Sequence, residues 1–426
     1  MPCISVSRRQ FAASLAAAWL GSVASRAVAA TAKAKLVVVG GGFGGATAAR
    51  FAKRLLPNLA VTLIEPNDSY VACPMSNLVV TGHRTLEQQT FSYAALAKEG
   101  IDVRRTSATE VDAVARTVSL ESGEGFHYDR LILAPGIDFR WGALEGYGPE
   151  AVERMPHAWK AGPQTLLLQR QLESMADGAV VVMSVTAAPF RCPPGPYERA
   201  SLIAHYLAQH KPRSKLLVLD SNDKFSKQPL FTKIWAERYA SILEWRGASN
   251  DGRVVRVDAN AMTLDTDFDT VRGAVVNVVP PQQAGLIAQR AGTTDSSGWC
   301  PVDAVSFESR LQPGIHVIGD ATVAAPMPKS AFAANAHAKV CAIQVARLLS
   351  DLDVAPSTLV NTCYSYVDDT QAISISGVYA TSGGAFAEVP GSGGISPLDA
   401  PSSFRQAEAN QAADWFRAIT RETFLS

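Results

Sequence analysis

A cysteine stands between an arginine and two prolines where the surrounding sequence would suit a nucleotide-binding loop. The stretch reads AAPFRCPPGPYERAS, residues 187–201. It follows the apolar, strand-like run 179–184 and precedes the helical run 202–207. A phosphate-binding loop at such a junction uses glycines and backbone N–H donors, whereas Pro193, Pro194 and Pro196 are stiff and lack that donor. We therefore expect the loop to present the sulfur of Cys192, which can take part in thiol–disulfide exchange.

The cysteine count places limits on the chemistry of the other sulfurs. The cysteines after residue 29 are Cys73, Cys192, Cys300, Cys341 and Cys363. Their number is odd, so at least one sulfur stays outside any intramolecular disulfide. No Cys-x-x-Cys pair or cysteine–histidine cluster has the spacing of a zinc site, and we predict no metal. Cys341, in the helical stretch 330–349, and Cys300, in a turn, are expected to be packed thiols, with a disulfide between them as the alternative.

A glycine pattern typical of dinucleotide binding lies further towards the N-terminus. The β-branched run 35–39 leads into GGGFGGATAARFAKRL, in which Gly40, Gly42 and Gly45 give the spacing G-x-G-x-x-G. Such glycines allow a tight turn and let a pyrophosphate approach the N-terminus of the following helix. Glu65 ends the next strand-like run, 20 residues after Gly45, where an acidic residue holds a ribose hydroxyl.

Two later strand-like runs end in small-residue turns. One ends at Ala134 and Gly136, and the other ends at Gly319 and Asp320. The order of the three motifs resembles that of flavoproteins with two dinucleotide-binding domains. This resemblance implies an α/β fold like that of glutathione reductase, with FAD bound at these turns and its ribityl chain held by Asp320.

The motifs predict a discontinuous domain organisation. Residues 30–160 and 296–350 are expected to form the FAD-binding domain. Residues 161–295 are expected to form a pseudo-nucleotide-binding domain that lacks its glycine loop. Residues 351–426 are expected to form a C-terminal domain with the partner surface, in which the Gly-, Ser- and Pro-rich stretch 382–401 is a loop.

Four segments resemble a narrower family. They are CPPGPYERAS (192–201), GWCPVD (298–303), APMPKS (325–330) and NTCYS (361–365). They are similar to the flavoprotein subunit of flavocytochrome c sulfide dehydrogenase, over nearly all of the chain after residue 29. A close sibling, the Sox-type flavoprotein of bacterial sulfur oxidation, is not separated from it by sequence. The resemblance implies oxidation of hydrogen sulfide to sulfur or polysulfide, with electrons passed through FAD to a cytochrome c.

Individual residues receive roles from this resemblance and from their positions. Cys192 and Cys363 match two cysteines that form a redox disulfide against the flavin, and an ordinary structural disulfide is the alternative. Cys73 matches the cysteine that forms a thioether with the flavin 8α carbon, and a free or buried thiol is the alternative. Glu198 is a candidate proton carrier or, alternatively, an acid that complements a helix dipole. Lys329 is expected near the flavin pyrimidine, with a surface role as the alternative.

Three other functions stay open at this point. A sulfide:quinone oxidoreductase must reach quinone in the membrane, but the segment 404–424 has balanced charge and is not a basic amphipathic helix. An NADH-dependent disulfide reductase would need the missing second glycine loop. A non-catalytic, Sox-type flavin subunit would not need the intact cysteines. Because the sequence contains no C-x-x-C-H, we expect the acceptor haem to be carried by a cytochrome c subunit on another chain.

The N-terminus has the pattern of an export signal. An Arg8-Arg9 pair precedes the apolar run 12–24 and the small-residue site 27–29, as in twin-arginine signals. The apolar run is shorter than the ~20 residues of a spanning helix, so we predict a periplasmic protein without membrane insertion. Removal of 1–29 takes away three arginines and leaves 36 basic against 39 acidic residues, a formal charge of −3. No basic field indicates nucleic-acid binding.

Overall fold

The computed structural model describes residues 34–382 and 384–425. The predicted export signal, 1–29, lies outside the described residues. The fold is the predicted α/β class, with two parallel sheets followed by an antiparallel one. Its helices in chain order are α1 (Phe43–Leu55), α2 (Ser76–Val80), α3 (Ala94–Lys98), α4 (Pro163–Ser174), α5 (Gly195–His210), α6 (Gln228–Arg238), α7 (Leu286–Arg290), α8 (Ala331–Leu348) and α9 (Ser402–Phe424).

The first sheet is parallel and five-stranded. Its order is Ile315–Val317, Arg130–Leu133, Lys35–Val39, Ala60–Ile64 and Asp102–Arg104. Four of the five residues of the central strand, KLVVV, are buried, as expected for a β-branched strand covered on both faces. Because the strands run in parallel, the turns that follow Val39, Leu133 and Val317 meet at one edge of the sheet.

Glycine is required at two positions of the first turn. Gly40 has a φ of +102°, and a Cβ there would lie 2.3 Å from the carbonyl oxygen of Ala134. A Cβ on Gly45 would lie 1.8 Å from the carbonyl oxygen of Gly40. Side chains at either position would therefore push the turn away from α1 or from the neighbouring strand.

The second sheet is also parallel, with the order Leu243–Arg246, Lys215–Asp220, Val180–Val185 and Val275–Val279. The loop after Val180–Val185 carries Cys192 and leads into α5. This helix begins at Gly195, earlier than the helical run in the sequence indicates, because prolines are tolerated in a first helical turn. The proline-rich segment is therefore both the turn and the beginning of the helix.

The third sheet is antiparallel and comes from the C-terminal part of the chain. Its strands are Thr358–Tyr366, Ala372–Ser382, Ala385–Glu388 and Gly394–Ile395. The last two strands lie in the stretch 382–401, so the prediction of a loop there was wrong in part. Both strands pair with Ala372–Ser382, which satisfies their backbone groups even though the segment is rich in glycine and serine.

Short strands complete the described structure. They pair as Ser69–Val71 with Thr90–Ser92, Ile137–Phe139 with Gln282–Ala284, and Cys300–Pro301 with Thr322–Val323; Ala108–Asp112, Thr117–Leu120 and Gly125–His127 form one small sheet, and Arg256–Asp258, Thr263–Asp265 and Thr270–Arg272 form another. Cys300 thus lies in a short strand and not in the predicted turn. Within the described residues, no helix is both long enough and apolar enough to cross a bilayer.

Aromatic packing and a buried arginine hold the C-terminal helix α9 against α1 and the strand Ser69–Val71. The Phe424 ring lies 5.6 Å from the ring of Phe43 and 5.2 Å from that of Tyr70, centroid to centroid. Arg50, only 2% exposed, donates to the carbonyl oxygen of Glu422 at 2.7 Å. The end of the chain therefore closes back on the helix that follows the first glycine turn.

We expect Phe424→Ala to lower the free energy of unfolding by about 3–5 kcal/mol, because it leaves a cavity among buried aromatic rings. Urea unfolding followed by far-UV circular dichroism measures this change. Phe404→Ala, in the same helix but 38% exposed, is the matched control and should change stability by less than about 1 kcal/mol. Equal effects of the two substitutions would contradict a fastening role for Phe424.

Candidate active site

One cavity of about 540 Å³ lies where the first sheet's turns, the Cys192 loop and the third sheet meet. Most of the residues singled out from the sequence line it. They are Gly40, Gly42, Glu65, Cys73, Ala134, Gly136, Cys192, Glu198, Gly319, Asp320 and Cys363. Gly45 lies beneath the first turn, where it allows the close contact already described. Side chains from three separate parts of the chain therefore share one cavity.

The residues of the first sheet suit a dinucleotide. Glu65 accepts a hydrogen bond from the Gly41 backbone N–H at 2.8 Å, so its carboxylate lies beside the glycine turn. The Oδ1 atom of Asp320 is buried and has no hydrogen-bond partner within the described protein. Burial raises the pKa of Asp320, and Arg191 and Lys329 oppose this increase. A buried oxygen without a donor fits a ligand hydroxyl, so the arrangement is compatible with FAD and its ribityl chain.

Cys73 follows the strand Ser69–Val71 and lines the same cavity. Its Sγ lies 3.8 Å from the carbonyl oxygen of Trp159. The guanidinium of Arg191 is hydrogen-bonded to the same carbonyl oxygen and is close enough to Cys73, Cys192 and Asp320 for its charge to act on all three. Arg191 was not identified from the sequence, although it directly precedes Cys192.

The Cys192 loop holds its sulfur in a constrained backbone. Cys192 has a φ of +57°, in the left-handed region that non-glycine residues seldom adopt. Its N–H donates to the carbonyl oxygen of Lys329 at 2.8 Å, and its own carbonyl accepts from Gly195 N–H at 2.7 Å. A Cβ on Gly195 would lie 3.0 Å from the Cys192 sulfur. Gly195 thus leaves room for the sulfur at the beginning of α5.

Cys363 approaches the same region from the third sheet. It is buried, and the side-chain amide of Asn361 donates to its sulfur at 3.3 Å. Both sulfurs line the same cavity, and burial is the main cause of the raised pKa of Cys192, followed by the charge of Cys363. All five cysteines of the described residues are free thiols, so the expected Cys192–Cys363 bridge is not formed in this structure.

Glu198 lies in the first turn of α5, and each oxygen of its carboxyl accepts a hydrogen bond. Its Oε1 accepts from the backbone N–H of Tyr366 at 2.8 Å, and its Oε2 accepts from Asn77 Nδ2 at 2.7 Å. Burial raises the pKa of Glu198, and these two bonds together with Lys227 oppose the increase. A carboxyl with a raised pKa in the same cavity as two sulfurs is suited to proton transfer.

Two buried cations near the sulfurs were not identified from the sequence. Arg199 donates to Asn77 Oδ1 at 2.9 Å and to the carbonyl oxygen of His157 at 3.0 Å, and burial lowers its pKa to about 10. Lys227, at the beginning of α6, donates to the carbonyl oxygen of Cys363 at 3.0 Å. No local sequence pattern marks either residue, because only the tertiary fold brings Arg199 to the cavity and Lys227 to the strand of Cys363.

The place of Lys329 near the flavin pyrimidine stays a prediction. Lys329 lines a second cavity of about 600 Å³ and is not among the residues that line the first. Its ammonium donates to the carbonyl oxygens of Asp320 and Thr322 at 2.8 and 2.6 Å and lies 3.8 Å from the ring centroid of Trp299. The two carbonyls and the ring turn the side chain away from the first cavity.

Cys300 and Cys341 are buried thiols that are not bridged to each other. Burial raises the pKa of Cys300 to about 11, and its sulfur lies 3.6 Å from Thr293 Oγ1. Neither residue is among those that line the first cavity. No cluster of three or more metal-ligating side chains occurs within residues 34–382 and 384–425.

Comparison with known proteins adds family and fold. The family models that match are the central part of the flavoprotein chain of sulfide dehydrogenase [flavocytochrome c] at residues 165–280, the flavin-binding part of flavocytochrome c sulphide dehydrogenase at 355–424, and pyridine nucleotide-disulphide oxidoreductase at 34–165. Together these ranges contain most strands of the three larger sheets, but they leave out residues 281–354, which hold the strand Ile315–Val317 and the cavity residues Gly319 and Asp320. The match to the flavin-binding part contains Cys363.

Three similar proteins support this result. The sulfide dehydrogenase [flavocytochrome c] flavoprotein chain of Chlorobaculum thiosulfatiphilum is 53% identical over 45 residues, which cover 94% of that sequence and 11% of this one. The mitochondrial sulfide:quinone oxidoreductase of Mus musculus is 24% identical over 330 residues, 72% of this chain and 69% of that one. The structure of the sulfide:quinone oxidoreductase from Aquifex aeolicus superimposes with a TM-score of 0.72 at 18% identity, covering 92% of both chains, and shows a shared fold.

The glycine turns, the unpartnered Asp320 oxygen and these matches are consistent with one another. They describe an FAD-dependent oxidoreductase of the sulfide-oxidising flavoproteins. Two family models of the flavocytochrome c sulfide dehydrogenase flavoprotein chain match parts of this chain, which is a flavoprotein similar to that chain.

Proposed function

We propose that this protein oxidises hydrogen sulfide at a disulfide formed by Cys192 and Cys363, and that the electrons leave to a cytochrome c. The observation that carries the proposal is the presence of both sulfurs, Glu198 and the dinucleotide-binding turns on the walls of one cavity. The predicted export signal supports a periplasmic location, where disulfides persist. The expected product is sulfur or polysulfide.

The residues that would hold FAD follow from the cavity. The turn from Gly40 to Gly42 would receive the pyrophosphate, Glu65 would hold the ribose, and Asp320 would accept a hydrogen bond from the ribityl chain. Cys73 would form the thioether. When bound, FAD supplies two-electron chemistry on the sulfur side and single-electron chemistry on the acceptor side.

The sulfur chemistry requires one bond exchange. HS⁻ attacks the Cys192 sulfur, an S–S bond forms between them, and the Cys192–Cys363 bond breaks. Cys192 then carries a persulfide and Cys363 a thiolate. The Asn361 amide, 3.3 Å from the Cys363 sulfur, favours the negative charge at this end. Glu198, between Asn77 and Tyr366, would accept the proton that the persulfide later releases.

The second sheet offers no comparable place for a nicotinamide dinucleotide. Its first turn contains prolines that donate no N–H bond. Asp220, at the end of the neighbouring strand, is buried and accepts bonds from Tyr197 at 2.8 Å and Trp245 at 3.0 Å. These bonds occupy the acid that would otherwise hold a ribose, which supports a protein as the electron acceptor.

An aromatic group at the cavity suggests where electrons leave. Phe332 and Trp415 are stacked with ring centroids 5.9 Å apart, and Tyr364 lies 6.3 Å from Trp415. All three line the cavity and are only partly buried. They connect it with the outer surface beside α9, where a cytochrome c would dock. A quinone is the second candidate acceptor, favoured by the similarity to sulfide:quinone oxidoreductases.

We expect Cys192→Ser to reduce sulfide-dependent reduction of cytochrome c by at least about 100-fold, because a single thiol cannot form the bridge. Stopped-flow spectra of flavin and haem measure this rate. Cys341→Ala, which removes a buried thiol distant from the cavity, is the matched control and should keep the rate within about twofold. An unchanged rate in Cys192→Ser would support a non-catalytic flavin subunit, and reduction of decylubiquinone alone would support the quinone alternative.

We expect the flavin of the wild-type protein to stay attached to the polypeptide after acid precipitation, because a thioether survives unfolding. In Cys73→Ala the flavin should be released into the supernatant. Fluorescence of the two fractions, together with the mass of the intact protein, measures this difference. Cys300→Ala should retain the flavin as in wild type. Release from the wild-type protein would rule out the covalent link but not FAD binding.

Glu198→Gln tests proton transfer. Since burial raises the pKa of Glu198, the rate of sulfide-driven flavin reduction in wild type should rise with pH as this carboxyl loses its proton. In Glu198→Gln this rise with pH should be absent, and flavin reduction should be slower by about 10²-fold or more. The ionisation of H₂S is common to both proteins, so the difference between their pH profiles isolates Glu198. Identical profiles would assign Glu198 a structural role at the helix terminus.

A further inference from the structure

Lys227 joins the second sheet's unit to the strand that carries Cys363. It precedes α6 with a φ of +61°, and its residue is only 3% exposed. Its ammonium donates to the Cys363 carbonyl oxygen at 3.0 Å and to Ser365 Oγ at 2.7 Å. A third, longer bond of 3.4 Å reaches the carbonyl oxygen of Ile373 on the adjacent strand. The ammonium thus fixes the backbone on the C-terminal side of the Cys363 sulfur.

The hydrogen-bond partners of Lys227 carry no formal charge, although burying an unpaired ammonium is costly. Burial lowers the pKa of Lys227 to about 8. The charges that oppose this decrease come first from Cys363 and then from Glu198, Cys192 and Glu408. Lys227 thus lies against the residue whose sulfur carries no charge until the bridge opens, and a negative charge on that sulfur favours the protonated lysine.

The charged groups around Cys192 and Cys363 also indicate that Lys227 acts on the charge of the sulfurs. The charged groups that act on Cys192 are Glu198, Lys227 and Arg191, and Lys227 and Glu198 also act on Cys363. Arg199 is a further cation that acts on Cys192 and Glu198, while Asp320 acts on Arg191 and Glu408 acts on Lys227. At Cys363, Lys227 favours a negative charge on the sulfur and Glu198 opposes it. Tyr379 also faces Cys363, but burial raises the pKa of its phenol to about 12, so it stays uncharged.

We propose that Lys227 is a positioning residue that holds Cys363 in place and compensates the negative charge on its sulfur when the bridge opens. The inference rests on the proposed function. HS⁻ brings one negative charge into the cavity, the bond to Cys192 forms as the Cys192–Cys363 bond breaks, and the charge moves to Cys363. No proton or electron enters or leaves in this step. Lys227 favours this direction of opening because its ammonium lies on the Cys363 side.

The test measures the ionisation of Cys363 without turnover. The reduced holoenzyme is treated anaerobically with methyl methanethiosulfonate over a pH series, and modification of Cys363 is followed by peptide mass spectrometry. Lys227→Gln keeps donors for the carbonyls but removes the charge. In this variant the pH at which Cys363 is modified at half its maximal rate should rise by about one unit or more. Lys227→Arg should keep it at or below the wild-type value. Ser365→Ala, which removes one hydrogen bond and no charge, should leave it unchanged.

A wild-type midpoint in Lys227→Gln would overturn the proposal. If Lys227→Gln does not fold, the pH dependence of Lys227→Arg tests the proposal instead. Because burial places the pKa of Lys227 at about 8, wild type should lose sulfide-driven flavin reduction as the pH rises above about 8, whereas a guanidinium stays charged. Persistence of that loss in Lys227→Arg would also overturn the proposal. The thiol titration needs neither sulfide nor an acceptor, so its failure is distinguishable from failure of the proposed function in Cys192→Ser.

Discussion

The carboxyl of Glu198 is the contact on which the geometry of the cavity depends. It belongs to α5, at the end of the Cys192 loop, and it receives bonds from Asn77 beside the first sheet and from the backbone of Tyr366 in the third sheet. Three parts of the chain are thus fixed to one side chain. Since Cys363 lies three residues before Tyr366, the same contact sets the relative position of the two sulfurs.

Burial of the charged groups around this contact makes acids harder to ionise, and it also strengthens the interactions between the charges. Burial raises the pKa of Glu198 and of both thiols, so that each is harder to ionise alone. Lys227 opposes that effect at both sulfurs, and Arg191 opposes it at Cys192. In a poorly polarisable interior such charges interact more strongly than in water. These cations therefore reduce the cost that burial imposes on an anionic sulfur species.

Local motifs made part of the site predictable. Gly40, Gly45 and Glu65 could be assigned because the turn, the helix and the acid lie within one short segment. Lys227 and Asn77 could not be assigned from the sequence, because only long-range packing brings Lys227 to Cys363 and Asn77 to Glu198. The chain position of Lys329 was apparent from its motif, but its direction depends on carbonyls and a ring that the motif does not specify. The pairing of Cys192 with Cys363 was an expectation from resemblance, since 171 residues separate them.

The division of the cavity wall among three parts of the chain also bears on how the protein matures. The Cys192 loop, the glycine turns and the strand of Cys363 each come from a different sheet's unit. A cavity assembled in this way does not exist until all three units have docked. A ligand that binds only the docked form adds its binding free energy to the stability of the whole assembly. Cofactor loading would therefore act as a checkpoint that separates completed molecules from partly folded ones.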